Sequence, residues 1–516
     1  YLGGSVSPLE RLVIPDGTAR IGRYAFAGYM NLVSVTIPPS VASIGYSAFE
    51  GCTGLTGVTI PPSVTSIGTS AFSGCTGLAG IMAIPSGVTS IGVSTFSGCS
   101  GLTGVTIPSS VADIGASAFE GCTGLAGDLS IPASVASIGQ RAFRGCGGLT
   151  RVEVPSCVLR TGFKNVFDVS GITNVVMLGG VMRIGDSEFS GMWRLTCVTI
   201  PDGVESIGAS AFYGCTGLTG VTIPDSVTSI GYSAFAGCTG LAGDLVIPDS
   251  VTSIGWNAFR GCTGLSYVKV PACVVDRGFA NVFGSDLAAR VEVSEGVQRL
   301  GDNAFADCAS LVEVVLPPGL AEVSSSAFQG CTGLRRATLP AAVLERGVAA
   351  VLGASSVTNV VLAADVRRIP ASAFEGCTSL ARVSVPDGVA SVGARAFAGC
   401  AALEGLALPA SVAHIGASAF EECASLREMD LPAAVANVPA GLFAGCTALA
   451  RVSLPSGATG VGDRAFQGCT SLRGVDVPAR AVSVGESAFE GCSSLAGVSL
   501  PARVKRVGAR AFAGCA

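Results

Sequence analysis

The chain has 516 residues, among them 71 Gly, 25 Pro, 20 Cys and a single His; 49% are hydrophobic, 13% are charged, and the net charge is −5. High hydrophobicity with few charges excludes a disordered chain, the acidic balance leaves no electrostatic footprint for nucleic acid, and His414 alone cannot build a multi-histidine metal site. The longest apolar runs, such as Val348–Leu352, fall far short of the roughly 18 residues that cross a bilayer, so no membrane insertion is expected.

Residues 1–26 read as a weak first repeat, and one pattern then recurs to the end. Phe marks it at 26, 49, 72, 96, 119, 143, 167, 189, 212, 235, 259, 283, 305 and 328. It returns at 374, 397, 420, 443, 466, 489 and 512, with Leu352 in the one vacancy. Length alone would suggest about three domains. These 22 positions, mostly 23 residues apart, point instead to a single continuous repeat solenoid over residues 1–516.

The repeat at 55–78 shows how one copy folds. Leu55, Val58 and Ile60 end in the apolar–polar alternation of a short half-buried strand. Pro61 has no N–H for a ladder and stops it. Val64 and Ile67 supply inward anchors on the next side, and Gly68 permits a tight bend with positive φ. Ala71, Phe72 and Cys75 follow at a helical or 3₁₀ spacing and form the opposite wall. So short a repeat cannot bury its own apolar side. Stacked copies share a continuous core, and each depends on its neighbours.

Three repeats depart from the pattern together, at 154–168, 270–284 and 339–353. The Ile67 position becomes Thr161, Arg277 and Arg346, a residue is inserted before the Phe position, and the Cys75 position becomes Ser170, Asp286 and Ser355. The first two lie 116 residues apart (Phe167 to Phe283), the length of a five-repeat duplication. One reading is drift within that block. The other is a lateral site where the wall opens for a partner, with Arg277 and Arg346 as its candidates.

The chain begins with Tyr1 and shows no signal-peptide pattern. It stops mid-repeat at Gly514-Cys515-Ala516, whereas solenoids need covered ends. A segment of a longer protein, or a packing partner at the C-terminal end, is therefore expected.

The consensus L-x-x-V-x-I-P-x-x-V-x-x-I-G-x-x-A-F-x-x-C resembles the BspA-type, or Treponema-type, leucine-rich repeat over essentially the whole chain. The resemblance implies a curved array with a parallel sheet on its concave side and short helical or irregular segments on its convex side. It also implies a cell-surface or secreted protein engaged in adhesion, with no catalytic residues to carry over.

Seventeen cysteines occupy one repeat position, three residues after Phe; Cys157, Cys197 and Cys273 do not. A column with one cysteine per repeat suits small buried free thiols. It offers no preferred partner for a disulfide. No C-x-x-C metal motif, phosphate-binding loop, nucleophile elbow or zinc-protease motif is present, and His414 reads as a solvent-facing substitution. No enzyme, metal or cofactor is expected.

One residue per strand faces outward, giving a row dominated by Thr and Ser and broken by Lys269 and Glu292. Threonine suits an exposed strand whatever the function, but the same row could be a broad recognition surface. Aromatic residues make better binding anchors. Tyr46, Tyr232 and Trp256 share the position after the turn glycine, and Tyr267 lies beside Lys269. Together the residues read as a non-enzymatic protein- or glycan-binding adhesion module. The alternative is a structural scaffold or spacer in a larger assembly.

Overall fold

The computed structural model describes residues 9–354 and 356–516; residues 1–8 of the weak first repeat, and Ser355 as a lost cysteine position, lie outside them. The chain forms two compact units, Tyr1–Gly264 and Leu265–Ala516. Each carries eleven of the Phe-position residues, and each is a β-solenoid whose rungs are joined by parallel backbone hydrogen bonds.

A regular rung has three bonded sides. On the first, long strands pair parallel and in register, so residues 23 apart become neighbours: Leu12 faces Val35, and Val35 faces Val58. The second side is a two-residue strand. In the first unit Arg20–Ile21, Ser43–Ile44, Ser66–Ile67, Ser90–Ile91, Asp113–Ile114 and Ser137–Ile138 form one sheet in chain order. Ile67 is thus an inward anchor, as expected, and it also belongs to a second parallel sheet.

On the third side the irregular alternative holds over the helical one. Ala71, Phe72 and Cys75 keep helix-like spacing, yet the segment is a chain of turns. Ser70 has φ 55° and Gly74 φ 72°, which no helix tolerates. The backbone N–H groups reach across to the next rung instead: Phe49 to Ala71 O at 2.8 Å and Gly51 to Ser73 O at 2.7 Å.

Gly68 also has a different reason from the one expected. Its φ is not positive; what it needs is room. A Cβ there would lie 2.7 Å from the Gly45 carbonyl carbon and the Tyr46 nitrogen of the preceding rung.

Inside, Leu55, Val64, Ala71, Phe72 and Cys75 are fully buried. Their counterparts stack into columns; Phe49, Phe72 and Phe96 lie parallel with centroids 5.3 and 5.5 Å apart. Burying one such ring stabilises by about 1.5–3 kcal/mol, with roughly 0.5–1.5 kcal/mol more from each stacked pair. All 20 cysteines are free thiols. Burial pushes those of Cys122 and Cys262 up to about 12.

Among the described residues, helices occur only in the three departing repeats. They are α1 (Ser156–Thr161) and α2 (Phe163–Val166), α3 (Ala272–Arg277) and α4 (Phe279–Phe283), and α5 (Ala341–Arg346) and α6 (Val348–Leu352). Each pair follows a Pro and pivots on a glycine at φ 91–93° (Gly162, Gly278 and Gly347). The short strand is absent from these rungs. Val158, Val274 and Val343 keep the buried Val64 position, three residues after Pro. Val275 and Leu344 become buried beside them, and Phe163, Phe279 and Val348, just past the pivot glycine, replace the lost Ile67 anchor. Thr161, Arg277 and Arg346 end their helices and need not be apolar.

Candidate binding surfaces

In the unit Leu265–Ala516 the parallel register builds a polar network on the long-strand side. Tyr267 pairs with Arg290, Arg290 with Glu313 and Glu313 with Arg336, while Lys269 stands opposite Glu292. Glu292 receives the Tyr267 hydroxyl at 3.0 Å and the Lys269 ammonium at 3.5 Å. Glu313 lies between two guanidiniums, Arg290 at 3.3 Å and Arg336 at 3.8 Å. The Arg290 guanidinium also stands 5.8 Å from the centre of the Tyr267 ring.

Exposed ion pairs of this kind add only about 0–1 kcal/mol each. The network therefore orients side chains more than it holds the fold. It presents an aromatic edge and both signs of charge on a backbone fixed by the strand ladder.

The sequence flagged Tyr267, Lys269 and Glu292, and the fold brings these three together. It missed Arg290, Glu313 and Arg336. The signal was available, since these lie 23 residues apart in the position before the inward strand residue. A smaller relative sits in the first unit, where Glu153 accepts from Ser130 at 2.9 Å and pairs with Arg151 at 2.7 Å. The Ser130 hydroxyl, then Arg151, holds the Glu153 carboxyl below the usual carboxylate range.

The other candidates lie apart from this network. Arg277 and Arg346 are exposed at the ends of α3 and α5. Arg346 borders an open cleft of about 860 Å³, with Arg299, Asp302, Glu322, Ser324 and Glu345 also on its walls. Tyr46 belongs to an early rung, where its ring meets Tyr24 edge-on at 5.1 Å and lies 5.2 Å from the Arg23 guanidinium. Tyr232 and Trp256 occupy adjacent rungs of the same unit and are both exposed. His414 is exposed at the start of a two-residue strand.

Comparison with known proteins found one family model and several similar solved structures. The profile of the BspA-type leucine-rich repeat region matches in six copies, at residues 5–126, 126–242, 242–350, 279–404, 349–473 and 413–516. Among solved structures, a leucine-rich repeat protein from Bacteroides ovatus is 26% identical, with a TM-score of 0.32 over 87% of this chain and 88% of its own. A leucine-rich cell surface protein from Faecalibacterium prausnitzii is 23% identical, with a TM-score of 0.21 over 95% of this chain and 87% of its own. A leucine-rich repeat protein from T. pallidum is 25% identical, with a TM-score of 0.22 over 44% of this chain and 76% of its own. No curated protein matches. Among the described residues, no helix is long and apolar enough to cross a membrane.

Proposed function

The chain belongs to the BspA-type leucine-rich repeat family, whose profile spans it from residue 5 to residue 516, and from that premise we propose that it is a non-enzymatic binding module of the adhesion type. Its partner is a protein, and its contact surface is the long-strand side of the unit Leu265–Ala516. The module acts outside the cell or at its surface, as the family resemblance implies.

One observation carries this reading. Tyr267, Lys269, Arg290, Glu292, Glu313 and Arg336 form one mixed-charge patch, joined by a hydrogen bond, three ion pairs and the Arg290–Tyr267 ring contact, where most outward strand positions of the chain hold small or uncharged residues. Tyr and Arg are the side chains that anchor protein interfaces, and pre-oriented groups lose less entropy on binding. Charges of both signs at fixed spacing set the register of a folded partner.

The test is binding of the full chain to a panel of immobilised extracellular-matrix and serum proteins. A partner bound by the native protein, and bound at least tenfold more weakly by the triple variant Lys269→Ala/Arg290→Ala/Arg336→Ala, supports the proposal. Equal binding by both proteins, or no binding by either, refutes it.

A further inference from the structure

Four large aromatic side chains stand exposed on four consecutive rungs of the unit Tyr1–Gly264: Trp193 at 64%, Tyr213 at 52%, Tyr232 at 56% and Trp256 at 50%. All four lie on the turn side, away from both sheets. Trp193 comes two residues after Gly191, Tyr213 just before Gly214, and Tyr232 and Trp256 directly after Gly231 and Gly255. They therefore run as a diagonal stripe across the rungs, on the order of 15 Å along the stacking direction.

The backbone beneath is fastened at every step. Gly191 N–H donates to Tyr213 O at 2.7 Å, Ser210 N–H to Tyr232 O at 2.8 Å, and Ser233 N–H to Trp256 O at 2.9 Å. The Arg194 guanidinium stands 5.2 Å from the centre of the Trp193 ring. The backbone positions that carry the four rings are thus fixed relative to one another.

What surrounds the rings identifies their ligand. Their neighbours on this side are small or polar, including Ser190, Ser210, Thr216, Asn257 and Arg260. The other large apolar side chains exposed on these rungs, Met182 and Val246, belong to the two strand sides. The anchors of a protein interface cluster near one centre, whereas these rings are spread one to a rung with small or polar residues between them. A nucleic acid needs a basic track for its phosphates; here the cations are Lys164, Arg194 and Arg260, and the Lys164 ammonium is already engaged by the carbonyls of Ser187 and Ser190.

We infer that the stripe is a stacking platform for a glycan. Aromatic rings meet the C–H faces of pyranoses, while the hydroxyl, amide and guanidinium groups between them bond the sugar hydroxyls. This surface and ligand class are separate from the protein contact proposed above.

Trp193 and Trp256 are the chain's only tryptophans, so tryptophan fluorescence, excited at the red edge beyond tyrosine absorption, reports on this stripe alone. The full chain is titrated to about 10 mM, beyond millimolar dissociation constants, with cellohexaose, chitohexaose, laminarihexaose and mannohexaose. A saturable change with at least one of them is expected. Tyr213→Ala/Tyr232→Ala, melting as the native protein does, should weaken binding tenfold or more. The Lys269→Ala/Arg290→Ala/Arg336→Ala variant should bind the sugar unchanged, which separates this inference from the protein-binding proposal. No saturable change with any sugar, or a change indifferent to the tyrosines, overturns the inference. So does loss of protein binding, rather than sugar binding, in the tyrosine variant.

Discussion

The thiol of Cys75 donates to the carbonyl oxygen of Phe49, one rung earlier, at 3.0 Å. The same oxygen accepts the backbone N–H of Cys52 at 3.2 Å. Each column cysteine with this bond thus ties two rungs together while filling a small apolar space. Cys238 does so with Phe212 at 3.1 Å, and Cys469 with Phe443 at 3.1 Å. Alanine keeps the volume small but removes both the sulfur and the donor. Cys238→Ala is expected to destabilise by about 1–2 kcal/mol, from a lost weak hydrogen bond and a small cavity. Urea denaturation measures it, and an unchanged midpoint would mean that the bond contributes nothing.

Alkaline pH should loosen the same column. Burial holds the Cys122 and Cys262 thiols up at about 12, whereas an unfolded cysteine ionises near 8.5. Between those values the unfolded chain releases protons that the folded chain keeps, so stability is whole below about pH 8.5 and declines toward pH 12. Urea midpoints taken from pH 7 to pH 11 should stay level and then fall. Cys122→Ala/Cys262→Ala should make the fall shallower without removing it, because other buried thiols such as Cys377 are also pushed up to about 12.

Glycines on one rung should respond very differently. A Cβ at Gly68 would lie 2.7 Å from backbone atoms of Gly45 and Tyr46, while one at Gly57 would meet nothing within 4 Å. Gly68→Ala must push two rungs apart and is expected to cost about 2–4 kcal/mol. Gly57→Ala should stay within about 0.5 kcal/mol. Thermal melts of the two variants give the comparison.

The departing repeats supply a contrast between an exposed and a buried position. Arg277 is exposed at the end of α3, so Arg277→Ile cannot fill the core and should change stability by less than about 0.5 kcal/mol. Phe279, two residues on, is 1% exposed and stacks on Phe283 at 4.6 Å. Phe279→Ala should cost about 3–5 kcal/mol. Denaturant melts that rank the two the other way would contradict the rearranged core.

Much of this architecture was legible because identical rungs align identical side chains. Leu55, Ile60, Val64, Phe72 and Cys75 follow in the sequence the columns that they occupy in space. The turn side was not legible. A spacing of three to four residues fits a helix, and nothing about Ser70 announces φ 55°. What holds that conformation is hydrogen bonding to the next rung, such as Ser70 N–H to Val93 O at 2.9 Å, and a local pattern does not contain it. Helices in the departing repeats escaped notice for a related reason. Arg277 and Arg346 looked like polar intrusions in a fixed frame, while the frame itself had shifted the inward anchor to Phe279 and Val348. On the candidate surface Tyr267, Lys269 and Glu292 stood out as unusual residue types. Arg290, Glu313 and Arg336 gain meaning only once the register places each against the next.

Exchanging two charges tests the proposed function most directly. The Lys269 ammonium and the Glu292 carboxylate are 3.5 Å apart, and Lys269→Glu/Glu292→Lys keeps an ion pair while reversing the local field. Exposed pairs contribute little to stability, so the melting temperature should stay unchanged. Affinity of the full chain for the protein partner recovered from the matrix and serum panel, measured by biolayer interferometry, should fall at least tenfold. An affinity equal to the native chain's would contradict the strand-side network as the binding surface.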